Sequence, residues 1–224
     1  MRILHSSDLH GHYKLLLRDH ADTEFDLWLD TGDFLDNKGR GQRGRIEPDV
    51  EQIYQHRWLS YRDLPRRLAA WLRGRPALLV GGNHDFIDLR TRLALVGANA
   101  TSVTTEGVEL LGLRWAGFRE INYIEGEWAG ETHDPSVVAD LAFKADPDVL
   151  VTHAPPLRIL DSTRGYGISA LTTFFSYRGH RIRAHFFGHA HEDGGKEREE
   201  MGVRFCNGAC HATLHDLNLR RHDA

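Results

Sequence analysis

Five times along this 224-residue chain a short apolar run ends and side chains able to hold a metal follow at once. The stretches are Asp8-Leu9-His10, Gly32-Asp33, Gly82-Asn83-His84-Asp85, His153, and Gly188-His189-Ala190-His191. Apolar runs of this kind, bounded by Gly, Asn and Asp, read as buried strands. Each stretch alone is ordinary, since Asn and Asp are common turn residues. The succession is not. Ligands of open α/β sheets bind beyond the carboxyl ends of strands, so the chain must fold to bring these ends together. In "GGNHDF" the two glycines let the backbone turn sharply and approach whatever the polar residues hold.

The rest of the pattern supplies an α/β framework. Arg2 to Asp8, Phe25 to Asp33, Ala77 to Val80, Val149 to Thr152 and "RAHFFGHAHEDGG" read as strands with their loops, as do "VRFCNGAC" and "ATLHDLNLR". His12 to His20, "SVVADLAFKA" and "SALTTFFSYRGH" read as helices. From Asp49 to Arg73 the spacing of Tyr54, Trp58, Tyr61, Leu64, Leu68 and Leu72 is helical. Pro65 divides that stretch, with Asp63 placed to cap the second helix. Thr101 to Phe118 reads as a hairpin turning at Glu106-Gly107. There are no repeats or linkers, and a single domain, 1–224, is expected.

Composition narrows the function. With 41% hydrophobic and 27% charged residues the chain reads as soluble and globular. A net charge of -4 gives no basic excess of the kind that marks a nucleic-acid binder. No apolar run approaches a membrane span, and the N-terminus lacks a signal-peptide core, so the cytoplasm is the expected compartment. The cysteines, Cys206 and Cys210, are spaced wrongly for the usual zinc pair and read as small buried residues on a strand and its turn.

Imidazole, carboxylate and amide donors without sulfur suit manganese, iron, zinc or nickel. Two such ions about 3.5–4 Å apart clamp a phosphoryl group for in-line displacement, and they need a carboxylate able to bridge them. The ordered set, from Asp8 to His191, resembles the calcineurin-like metallophosphoesterase superfamily. The resemblance implies a four-layer α-β-β-α sandwich of two mixed β-sheets flanked by helices. It implies two divalent ions, manganese foremost. Asp8, His10, Asp33 and His191 would hold the first, and Asp33, Asn83, His153 and His189 the second. A metal-bridging hydroxide would attack phosphorus, His84 would donate a proton to the leaving oxygen or stabilise charge there, and Asp85 would orient His84.

The departures select within the superfamily. Protein phosphatases of this group carry Asp-Arg-Gly after the second motif and "GNHE" in the third. Here the second reads "GDFLDNKG", with Asn37 in place of that Arg, and the third reads "GNHD". "VLVTHAPP", "FFGHAHEDGG" and "FCNGA" look like the small metallophosphodiesterases related to the MPPED proteins, which implies a cyclic-nucleotide-like phosphodiester. A phosphomonoesterase or a nuclease on the same scaffold is the alternative, and a non-catalytic interaction module would be expected to lose ligands that this chain keeps. Arg40, Arg43 and Arg45, with Lys38, form a local basic cluster able to fork onto phosphate or to lie in solvent. His12, Arg164 and Tyr166 are further candidates to line a substrate pocket. Oligomeric state has no signature in the sequence.

Overall fold

Ile3 and Leu4 are neighbours in one strand, both fully buried, and they enter different cores. Successive strand residues face opposite sides, so a strand buried on both sides needs a layer above and below. The computed structural model describes residues 1–38, 46–177 and 180–218 and shows those layers.

One sheet has the order β13-β1-β2-β3-β4, formed by His211–Asp216, Arg2–Ser7, Leu27–Asp30, Ala77–Leu79 and Ala100–Ser102. Its pairs are parallel except that of β1 with β13. The second has the order β11-β12-β10-β9-β6-β5, formed by Glu197–Glu200, Val203–Asn207, Ala184–Phe187, Val149–Thr152, Leu113–Phe118 and Val108–Leu110. Its two outer pairs are antiparallel and the inner ones parallel. Both sheets are therefore mixed. A small parallel pair, β7 (Ile121–Asn122) with β8 (Glu131–Thr132), stands apart.

Ile3, Leu27, Leu29 and Leu78 of the first sheet pack against Val149, Val151, Ala184 and Phe186 of the second. The opposite face of the first sheet, with Leu4 and Trp28, is covered by α1 (Lys14–Asp19), α2 (Pro48–Tyr61), α3 (Leu64–Leu72) and α4 (Leu89–Ala94). The outer face of the second, with Leu150 and Phe205, is covered by α5 (Ser136–Lys144) and α6 (Ser169–Ser176). The result is the expected α-β-β-α sandwich. Among the described residues no helix is long and apolar enough to cross a membrane.

Four local expectations are corrected. Residues 100–102 pair with β3 in the first sheet, and the Glu106-Gly107 turn carries the chain across to the second. The hairpin is β5–β6, closed at Leu111-Gly112, where both residues have positive φ (52° and 76°), as a two-residue hairpin turn demands. Asp63 occupies the cap position of α3 but does not cap it; its carboxylate pairs with Arg66. Tyr61 is 89% exposed, because α2 ends there and the chain turns before α3. Cys206 is buried as expected, but Cys210 is exposed on a positive-φ turn.

Candidate metal centre

The carboxyl ends of β1, β2, β3, β9 and β10 meet at one edge of the sandwich, and backbone hydrogen bonds lock their loops together. Asp8 N–H donates to Gly32 O at 2.8 Å, His10 N–H to Asp33 O at 2.8 Å, and Gly188 N–H to His153 O at 2.9 Å. Four candidate ligand residues lie in the left-handed region: Asp8 (φ 51°), His10 (41°), Asp33 (54°) and His189 (65°). Asp and His tolerate that region better than most residues, and such strain clusters at functional sites.

The glycines explain how the loops come so close. A Cβ on Gly82 would fall 2.4 Å from the Asp33 backbone nitrogen and 2.1 Å from its Oδ1. One on Gly188 would fall 2.2 Å from Asp8 Oδ2. Gly81, by contrast, faces the Arg119 side chain.

Two donor groups share this edge. In the first, His191 Nε2 stands 3.1 Å from Asp8 Oδ1 and 3.5 Å from His10 Nε2. Two imidazole nitrogens and a carboxylate oxygen so converge on one point. In the second, Asp33 Oδ2 lies 3.5 Å from His153 Nε2, which lies 3.0 Å from Asn83 Oδ1. His153 Nδ1 donates to the Thr31 carbonyl at 2.7 Å, which turns Nε2 toward Asp33 and Asn83. Asp33 Oδ2 is also 3.9 Å from His10 Nε2, so it faces both groups. The His and Asp donor atoms form sets lying within 4.8 Å of one another: Asp8, His10 and His191, then Asp8, Asp33 and His153, then His10, Asp33 and His84. His189 stands outside these sets, its ring centroid 5.0 Å from that of His153, with its backbone N–H on Asp8 Oδ2 at 2.8 Å.

The electrostatics fit a cation site. Burial works against the Asp33 charge, but the facing imidazoles of His153, His84 and His10 outweigh it and hold the carboxyl well below the usual range. Burial likewise opposes ionisation of Asp8, and the bond from His191 together with the charges of His153 and His191 outweighs it. Burial alone would lower His153; Asp33 raises it to about 9. The bond to Asp8, seconded by Cys210, raises His191 to about 10. In the metal-free chain, protons on His153 and His191 thus neutralise the two carboxylates where ions would do so.

The family model described as calcineurin-like phosphoesterase matches residues 1–193, which spans this whole edge. The chain belongs to the calcineurin-like phosphoesterase family. No curated protein matches it. A solved structure of a hypothetical protein from Thermus thermophilus is similar over 92% of this chain and 75% of that one, at 15% identity and a TM-score of 0.45.

In this calcineurin-like phosphoesterase the surroundings of His84 differ from expectation. The Asp85 carboxylate does not touch the His84 ring. It accepts backbone N–H groups of Asp33 (2.8 Å), Gly82 (2.9 Å) and Leu35 (3.0 Å), and so pins the loops. The His84 ring is held by Asn37, with Oδ1 2.7 Å from Nδ1. Asn37 Nδ2 points to the His84 carbonyl at 3.1 Å, which fixes the amide's orientation. Neutral His84 therefore carries its proton on Nδ1 and presents a lone pair at Nε2, 4.0 Å from Asp33 Oδ2. Trp128 packs on the ring at 4.2 Å between centroids.

The remaining candidates are scattered. Tyr166 reaches the edge, its ring 5.4 Å from His189, and Arg164 donates to the Tyr166 hydroxyl at 3.2 Å. His12 is exposed and lines, with His10, Lys14, Arg18 and Arg62, a cleft of about 500 Å³. Arg40, Arg43 and Arg45 lie outside the described residues. Sequence reasoning misses Arg119, which donates to the carbonyls of Gly82 (2.6 Å) and Asp85 (2.7 Å) and ties down the turn from behind. Its only signal is a lone Arg just after β6; that of Asn37 is its place where relatives carry Arg.

Proposed function

We propose that this chain is a dinuclear-metal phosphodiesterase that hydrolyses a small, cyclic-nucleotide-like phosphodiester. The observation that carries the reading is the position of Asp33, whose Oδ2 faces His10, His153 and His84 within 4.0 Å. A carboxylate so placed can serve two ions at once. Asp8, His10, Asp33 and His191 would hold one, and Asp33, Asn83, His153 and His189 the other, with manganese suited to this sulfur-free donor set. When bound, the ions supply Lewis acidity toward the phosphoryl oxygens and a water acidic enough to act at neutral pH.

The chain's own residues do the rest. His84 donates a proton from Nε2 to the leaving oxygen. Asn37 keeps the Nδ1–H bonded while it does so, so only the imidazolium form can deliver. Asp85, through three backbone N–H groups, holds Asp33 and the Gly82–Asp85 turn in place. Tyr166, steadied by Arg164, forms one wall beside His189, and His12 lies in the neighbouring cleft.

Diester preference rests on the stretches shared in kind with the MPPED-related enzymes. "FCNGA" has a visible part in the site: Asn207 Nδ2 donates to the carbonyls of Leu160 (2.9 Å) and Ala190 (3.0 Å), bracing the His189–His191 turn. The test is turnover of bis-p-nitrophenyl phosphate against p-nitrophenyl phosphate with manganese, followed by 2′,3′-cyclic nucleotides. Faster monoester turnover would replace the reading with a phosphomonoesterase. Salt-sensitive cleavage of an oligonucleotide would favour a nuclease, since phosphate contacts release counterions.

A further inference from the structure

Glu197, Cys206 and His215 meet away from the candidate centre. Glu197 and Cys206 are register partners on β11 and β12, and His215 comes from β13 of the other sheet. Their three donor atoms all lie within 4.8 Å of one another. Cys206 is level with Phe186, three residues before His189, and His215 is level with Ile3, five before Asp8. At about 3.3 Å per strand residue the group sits roughly 10–16 Å from the candidate centre.

His215 is 4% exposed, and its Nδ1 is 2.9 Å from Glu197 Oε1. The oxygen lies out of line with the ring N–H, and neither ring nitrogen has a hydrogen-bond partner. Buried imidazoles are seldom left so. The other carboxylate oxygen, Glu197 Oε2, is taken by Arg204, 2.8 Å from Nε and 2.7 Å from Nη2. That leaves Oε1 turned toward His215. Cys206 is 1% exposed, while Glu197, on an edge strand, is open enough to admit an ion.

The geometry points to a separate, sulfur-containing metal site at Glu197, Cys206 and His215, suited to zinc or a similar divalent transition ion. Thiolate, imidazole and carboxylate form a donor set that zinc takes tetrahedrally, with the fourth position left to water. Bond lengths of about 2.0–2.3 Å place ligand atoms roughly 3.3–3.8 Å apart around such an ion, within the spread found here. Arg204 orients the carboxylate as outer partners of metal ligands do. Burial pushes the Cys206 thiol up to about 12, so the ion enters as the thiol's proton leaves to solvent. An ion here would join the two sheets.

Cobalt(II) titrated into the full-length, chelator-stripped protein is the probe. A near-ultraviolet thiolate-to-cobalt charge-transfer band should appear with the intensity of one thiolate-bound ion per chain and saturate by three equivalents, two ions being taken by the candidate centre, whose proposed ligands include no sulfur. Cys206→Ala should lose the band and Cys210→Ser should keep it. Glu197→Gln, at the open edge, should weaken this binding more than about tenfold, and it serves if Cys206→Ala does not fold. No band in the wild type, a band that survives Cys206→Ala, or one lost in Cys210→Ser overturns the site.

Discussion

Asn37 accepts the Nδ1 proton of His84 across 2.7 Å, and that bond decides which nitrogen faces the candidate centre with a lone pair. Burial holds the His84 imidazole below its ordinary pKa. Proton donation from Nε2 needs the imidazolium, so turnover of esters with poor leaving groups should fall as pH rises through that lowered pKa. Asn37→Asp places an anion against the ring. Opposite charge at this range raises a His pKa by about 1–3 units, so the alkaline limb should move to higher pH. A pH–rate profile unchanged in the variant would remove Asn37 from the mechanism.

His84→Ala should keep its metals and lose turnover. General acid catalysis is worth about 10²–10⁴-fold, and the loss should be largest for alkyl esters and smaller for p-nitrophenyl esters. Equal losses on both would mean an electrostatic role without proton transfer.

Asp33→Ala should abolish activity and weaken both ion sites together, as elemental analysis after dialysis would show. In the wild type, metal binding at pH 7 must expel the protons on His153 (about 9) and His191 (about 10). Apparent affinity should therefore climb with pH until those values are passed. Calorimetry in buffers of different ionisation enthalpy should detect proton release on binding; its absence would contradict the charge pattern of the metal-free chain.

Gly188→Ala tests the packing of the loops. Its Cβ would fall 1.9 Å from Ser7 Oγ and 2.2 Å from Asp8 Oδ2. A cost of about 1–3 kcal/mol is expected from overpacking, with weaker metal retention, measured by thermal unfolding and metal analysis. Wild-type values for both would show that the loops can separate freely.

His185 should set part of the acid sensitivity. Burial pushes its imidazole down to about 3, against about 6.5 in an unfolded chain. A folded pKa below the unfolded one means stability is full above pH 6.5 and declines as pH falls toward 3. The decline is on the order of a few kcal/mol. His185→Gln should flatten that slope in metal-free protein between pH 7 and 4, while an unaltered slope would assign it to other groups.

Strand ends carry strong local signals, and much of the fold and the gathering of the candidate site's residues is legible in them. Val149–Thr152 is a strand to the residue, and the five polar ends do converge. What escapes a reading of the sequence depends on partners distant along it. "EREE" carries no apolar alternation to mark it, yet it forms edge strand β11, where charge is tolerated and blunts further pairing. Residues 100–102 look like half of a hairpin, but a free edge beside β3 claims them. The support of His84 by Asn37 spans 47 residues, and no spacing rule reaches that far.

Strand β1 takes β2 on one side and β13 on the other, so the first strand among the described residues is completed by the last of them. During synthesis Asp8 emerges about 180 residues before its partner His191, and the strand that closes β1 follows more than 200 residues after Asp8. Until then β1 has an open edge, available to any other strand. Assembly of the site therefore waits on residues far downstream of Asp8, and a chain stalled before β13 would be a substrate for chaperones or proteases before it could be an enzyme.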